Sequence, residues 1–435
     1  MDNERHDNRI EQENPSEGAE APPKSSVVAN IVARIADVDA EAWDACANPD
    51  ATTFNPFVSH RFLKALEESD CVGPQRTGWL PQHILIADDN GRDDGGADSD
   101  NDGDSGSDGG GNIVACAPCY VKLHSAGEYV FDHSWAAAYE QAGGSYYPKL
   151  QIAVPFTPVP GPRLLVRPGP DADRHRQTLA AAAAELARRM EASSVHVTFL
   201  PEDEWRTLGE LGLLQRTGQQ FHWRNDGYRT FDDFLASLAS RKRKALRKER
   251  SEALANGITV EHLTGSDITE EHWDAFFRFY IDTGNRKWGT PYLNRRFFSL
   301  LGKAMAEHCL LVMAKRDGEY IAGALNLIGG DCLYGRYWGA IEHHPFLHFE
   351  LCYYQAIDYA IAHGLKRVEA GAQGEHKLAR GYMPVTTYSA HLIADPGLRR
   401  AIARYLKSER EAVAEDSALL AELGPYRKDN APPDE

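Results

Sequence analysis

Between Gly371 and Tyr382 the chain reads G-A-Q-G-E-H-K-L-A-R-G-Y. Few stretches this short gather so many groups able to take, give or hold a proton. Glu375 and His376 are the candidate bases, and the imidazole titrates near neutrality without much tuning. Lys377 and Arg380 are candidates to hold a carboxylate or phosphate, Arg at two points at once. Gln373 adds an amide to the same group. Tyr382 and, further on, Tyr388 are candidates to protonate a leaving group. Arg336 and Trp338, on a neighbouring strand-like segment, are expected to face the same cleft. The competing readings are a polar surface loop and a structural ion pair between Glu375 and Lys377 or Arg380.

The flanking sequence says what holds this stretch. Residues 350–363 carry apolar side chains at Leu351, Tyr354, Ile357, Tyr359 and Ile361, a helical spacing. Gly364 follows, as glycine does past a helix end. Residues 366–370 then read as a short strand, and 386–393 as a returning one. Ligands of open α/β sheets bind beyond the C-terminal ends of strands, where the polar group falls.

A second stretch has its own chemistry. Residues 231–255 predict one long helix. It carries Arg241, Lys242, Arg243, Lys244, Arg247, Lys248 and Arg250. So many bases cannot share one helix face, so several are solvated. They make either a ridge for phosphate or RNA or a solvated basic helix paired to the acidic remainder of the chain. The loop 285–292, with Lys287 and Trp288, either touches substrate or joins two helices.

The net charge of −17 points to no acidic body. Residues 1–26 hold seven acids against three bases, and residues 88–112 nine against one. These two polar segments, expected to be disordered, therefore carry most of the excess. At 435 residues the chain is long for one core, so two domains are expected. No apolar run approaches the length of a membrane helix, and the start has no secretory pattern. Seven cysteines without framework spacing fit buried thiols and a cytoplasmic setting. The lone C-x-x-C of Cys116 and Cys119 has no second pair to complete a metal site, and no metal is expected.

Read in order, residues 82–87 and 113–122 are two strands joined by the acidic insertion. Residues 127–135 alternate and end in aromatics, and 154–160 are too proline-rich for helix. A helix over 171–192 and strands over 195–200 and 213–224 follow. From residue 258 the order is strand, helix, helix, three-stranded meander, helix, strand, loop, strand, which loosely repeats the earlier half. The expected division is a leader at 1–26, a first domain at 27–225 holding the 88–112 insertion, a second at 226–395 beginning with the basic helix, and a C-terminal helix and tail at 396–435.

That order, with the words NPFVSHRFLKALEES, TGWLPQH, GEYVFDHSWAAAYEQAGGSYYPKLQIAVPFTPVPGPRLL, SRKRKALRKER, RKWGTPYL and VEAGAQGEHKLARGYMPVTTYSAH, resembles the GNAT acyltransferase superfamily. It looks most like the acyltransferases labelled peptidoglycan biosynthesis/recognition proteins, relatives of the Fem-type peptidyltransferases. The resemblance covers most of residues 54–393. It implies an α/β fold of two tandem GNAT-like domains sharing a cleft, and transfer of an acyl or aminoacyl group to an amine. Acetyl-CoA users of the superfamily carry a Q/R-x-x-G-x-G/A loop that cradles pyrophosphate at a helix N-terminus. Here residues 339–345 read G-A-I-E-H-H-P and lack it. The donor is therefore expected to be an acyl-CoA, an acyl carrier or, as in Fem-type relatives, an aminoacyl-tRNA, which the basic helix would suit. A recognition module without catalysis is the remaining alternative.

Overall fold

The computed structural model describes residues 27–88, 112–286, 291–371 and 374–427. The leader, nearly all of the acidic insertion, Lys287, Trp288 and Gln373 lie outside the described residues. In chain order the first half contributes β1 (Val27–Val32), α1 (Ala40–Ala47), α2 (His60–Glu68), β2 (Trp79–Pro81), β3 (His83–Asp88), β4 (Asn112–Ala117) and β5 (Cys119–Lys122). It continues with α3 (His133–Gln141), β6 (Lys149–Ile152), β7 (Leu165–Val166), α4 (Ala172–Arg189), β8 (Ser194–Leu200), α5 (Glu202–Glu210) and β9 (Leu214–Arg224). The second half adds α6 (Phe231–Ser237), α7 (Ser240–Ala253), β10 (Thr259–Thr264), α8 (Glu270–Arg286), α9 (Arg295–Met305), β11 (Cys309–Arg316), β12 (Glu319–Ile328) and β13 (Cys332–Ala340). Then come α10 (Leu347–Phe349), a π-helical turn (Glu350–Tyr354), α11 (Gln355–Ala362), β14 (Arg367–Glu369), β15 (Met383–Ile393) and α12 (Pro396–Glu422).

These strands form a small sheet, β1-β3-β4-β7, and one of eleven strands, β10-β11-β12-β13-β14-β9-β15-β8-β6-β5-β2. The expected strand over 113–122 is divided between the two. Pro118, which has no N–H for a ladder, separates β4 in the small sheet from β5 in the large one. Cys116 and Cys119, on either side of it, are fully buried free thiols, and burial pushes Cys119 up to about 12.

The large sheet does not stop at residue 225. The last strand of the first half, β9, pairs with β14 on one side and β15 on the other. The last strand of the second half, β15, pairs in turn with β8 of the first. Each half thus lends its final strand to the other. The helix α12 lies across the lent strands, with Arg216 on Glu409 at 2.7 Å and Gln219 on Ser417 at 2.6 Å. The aromatic core also crosses between the halves: Phe57 meets Tyr334 and Phe62 meets Phe297 edge-on.

The long helix expected over 231–255 is broken. Leu238 turns extended and fully buried, and bridges to Tyr426, while the Ala239 N–H donates to Pro425. The C-terminal segment supplies the bonds that the uninterrupted helix would have made itself. Gly339 on β13 has a clear steric role, since a Cβ there would overlap the Phe279 backbone of α8. The close approach of helix to strand fixes the end of β13, where the candidate site begins.

Candidate active site

β13 and β14 run parallel only from Cys332–Tyr334 against Arg367–Glu369. Beyond Tyr334 the strands part, and β13 continues six residues without β14 beside it. Along its other edge Leu325 faces Tyr337 while Asn326 faces Gly335. Arg336 is the extra residue of a β-bulge, a device that re-aims a side chain. Its guanidinium donates to the Phe156 carbonyl at 2.7 Å.

Two residues on, Trp338 lines a cavity of about 380 Å³ with Arg286, His343, His344, His348 and Phe349. The helix of residues 347–362 begins in this wall. Phe346 at its start holds φ +60 and no side chain caps it. Uncapped N–H groups and the positive end of the helix dipole favour an anion there. The π-helical turn in the same helix is a feature often found at functional sites. It places Tyr353, whose hydroxyl lies 2.9 Å from His376 Nε2.

His376 is exposed but not remote from a hollow. Its ring stands 5.6 Å from Phe349 and 6.2 Å from His348, both on the cavity wall. Glu375 is exposed beside it and makes no ion pair among the described residues. The other members of the polar group are committed elsewhere. Lys377 is buried, donates to Gly371 O at 2.9 Å, and is lowered by burial to about 8. Arg380 is buried too. It donates to His376 O and Glu249 and lies 3.4 Å over the Phe349 ring. It clamps the His376 turn to the cavity wall rather than reaching for a ligand. Tyr382 is fully enclosed, its hydroxyl on Tyr353 O, which takes it away from any leaving group. Tyr388 is on another wall altogether, beside Trp205 and lining a different cavity.

On α7, Glu249 and Arg250 are the anchors: Glu249 binds Tyr354 and Arg380, and Arg250 binds Glu350 and Asp358. Arg247 pairs with Asp232. Among the described residues, Arg241, Lys242, Arg243, Lys244 and Lys248 have no ion-pair partner. The pairing with acidic neighbours thus involves only part of the ridge.

A buried polar network lies in the first half, and local sequence reasoning passed over it. Lys149, fully buried, donates to Ser125, Glu128 and Asp132 at 2.8, 2.7 and 2.5 Å. Tyr146 donates to Asp132 at 2.8 Å. His196 and His391 face each other Nδ1 to Nδ1 at 2.7 Å. The available signal was polar residues, Lys149 and Gln151 on β6 and His196 and Thr198 on β8, inside strands buried on every residue.

Burial, with the Lys149 cation adding to it, lowers His196 to about 3. Burial and the His196 ring hold His391 well below its ordinary value, against the Asp132 carboxylate. Arg216 is the other cation acting on both. A base depressed in the fold stabilises above its unfolded pKa and loses that contribution as pH falls through the folded value. Stability is therefore expected to fall from about pH 6.5 towards pH 3, by several kcal/mol in all. Urea midpoints measured across that range check it; a midpoint that stays level down to about pH 4 contradicts the neutral histidine pair.

The family model FemAB_like, described as peptidoglycan biosynthesis/recognition, matches residues 34–428. No curated protein matches the sequence. Among solved structures, FemX superposes with a TM-score of 0.50 at 14% identity, covering 84% of this chain and 98% of FemX. L-PGS from Bacillus licheniformis gives 0.46 at 10% identity, with 81% and 98% covered. A tandem GNAT protein from the clavulanic acid biosynthesis pathway gives 0.42 at 13% identity, with 85% and 99% covered. The likeness to FemX shows the fold, the paired GNAT-like arrangement expected from the sequence.

Proposed function

We propose, from the premise that the chain belongs to the FemAB-like family, that it transfers an acyl or aminoacyl group to an amine on a peptidoglycan-related acceptor. The observation carrying this reading is the free edge of β13 beyond Tyr334, opening beside a histidine-lined cavity at an uncapped helix start. An extended donor arm finds strand N–H and C=O groups along that edge that β14 does not take. A phosphate at its end finds the helix N-terminus and His343, beside a Glu342 carboxylate that Arg316 and His344 already hold. Much of the rate enhancement comes from holding carbonyl and amine together. His376, beside the cavity wall, is the candidate base for the amine proton, with Tyr353 orienting its ring.

The unpaired bases of α7 support an aminoacyl-tRNA donor over a small acyl-CoA. The missing glycine-rich loop points the same way. The turn at 375–380 is tied to α7 through Arg380 and Glu249, so the ridge is continuous with the candidate base.

Purified protein is to be given charged tRNAs, or acyl-CoA in parallel, with a muropeptide precursor, and products read by mass spectrometry. His376→Ala is expected to slow transfer by roughly a hundredfold or more, the usual worth of a positioned base. Glu375→Gln is expected to slow it less, with circular dichroism unchanged in both. Full rates in both variants would remove the pair from the chemistry. Precursor binding without product from either donor would favour a recognition module.

A further inference from the structure

A second cavity, of about 200 Å³, opens over the lent strands β9 and β15, where Tyr129, Phe131 and Phe199 meet Gln220, Thr387 and Ser389. Tyr129 and Phe199 hold φ +61 and +60, a costly backbone region for aromatic residues that collects at ligand sites. The loop bearing Tyr129 is tied to the bulge of β13: the Phe156 N–H donates to Gly127 O, and Phe156 O accepts from Arg336.

The wall at Ser389 has a fixed polarity, set from inside the protein. Asp132 as a carboxylate accepts only, so Tyr146 must donate to it. The Tyr146 oxygen, 3.4 Å from His196 Nε2, is then left to accept. Asp132 itself lies 3.8 Å from Nε2, so its charge favours the His196 proton on Nε2; the Ser194 hydroxyl at 2.7 Å, able to donate or accept, accepts in that tautomer. His196 Nδ1 is thereby an acceptor, so His391 Nδ1–H donates to it. His391 Nε2 then accepts, and the group 3.1 Å from it is the Ser389 hydroxyl. Ser389 spends its only proton inward and turns lone pairs to the cavity. A ligand there must bring a donor. The Glu409 carboxylate on the same wall is held at two points by Arg216, which also lines the cavity, so the ion pair balances itself and the Ser389 lone pairs set the requirement.

We propose that this cavity is the acceptor site, that Ser389 holds the N–H of a primary amine, and that the chain through His391, His196 and Tyr146 to Asp132 keeps it an acceptor. The assignment rests on the transferase reading for its role, though not for its binding chemistry.

Saturation-transfer NMR with 1-aminopropane and its N,N,N-trimethyl form, equal in charge but without N–H, tests it. Wild-type protein is expected to bind the amine at millimolar levels and the trimethyl probe roughly tenfold less tightly, the worth of a hydrogen bond to a charged group. Ser389→Ala is expected to erase that difference, and Thr217→Trp, on the same wall, to abolish binding of both. Equal binding of the two probes, or binding of neither, overturns the site. Should Ser389→Ala fail to fold, imidazole ¹⁵N shifts of wild-type protein decide: protons on His391 Nδ1 and His196 Nε2 are expected at neutral pH, and the opposite tautomers refute the polarity. Amine binding without transfer from any donor would sink the catalytic reading and leave this site. Transfer with an unchanged KM in Ser389→Ala would sink this site and leave the catalytic reading.

Discussion

Lys149→Met is expected to cost roughly 3–5 kcal/mol, the usual loss when one partner of a buried ion pair is removed. Lys149 has no solvent exposure and sits between two carboxylates that are themselves buried. Burial alone would push Asp132 up, yet the Lys149 cation and His196 draw it well below its ordinary value. Without Lys149 that pull is largely lost. Glu128, already raised by its burial, keeps Lys122, at 3.6 Å, as its one cation among the described residues. Lys122 is itself lowered to about 7 by burial and is a weak replacement. The urea midpoint of the variant is the measurement. Adding Asp132→Asn to Lys149→Met should recover part of the loss, because it removes a stranded charge. A single variant within about 1 kcal/mol of wild type would mean that water reaches the network.

Removing the charges of Arg241, Lys242, Arg243 and Lys244 together is expected to weaken tRNA binding by roughly a thousandfold at low salt. It should also flatten the slope of log K against log salt by about three, since each phosphate contact to single-stranded nucleic acid contributes about 0.7. The first turns of α7 crowd these bases against the positive end of a helix dipole, with no acidic residue in the first turn and no capping side chain. That arrangement is unfavourable in isolation and is relieved by a bound polyanion. Leu246 and Ala253 carry the packing of the helix, so alanine at the four positions should leave the fold intact. Fluorescence anisotropy across a salt series measures both numbers. An unchanged slope would make the ridge a solvated surface and return weight to an acyl-CoA donor.

Periodicity, glycines and turn residues marked most elements, because these signals are local. The helix ending at Gly364, the meander β11-β12-β13 and the hairpin across the acidic insertion were legible in this way. The break at Leu238 was not, because the partners that stabilise it, Pro425 and Tyr426, lie far along the chain. Nor was the exchange of β9 and β15, since a strand's pattern of burial says which face it hides and nothing about which neighbour it chooses. At the candidate site, residue types located the region but not the duties. His376 reaches the cavity wall, whereas Lys377, Arg380 and Tyr382 serve the turn and the core, and Tyr388 lines the second cavity. A cation that holds a carbonyl of its own loop reads, in one dimension, the same as one that awaits a phosphate.

The reciprocal loan of β9 and β15 makes the two halves a single mechanical object. Cutting the polypeptide near residue 225 would leave each fragment with a foreign strand and a raw sheet edge where its own should be, the kind of surface that invites aggregation. The fragments are built for one another, and made together they have every ladder needed to reassemble as a split protein. A pull on either end is borne by both, so the spacing between the two cavities is held by main-chain hydrogen bonds instead of a hinge.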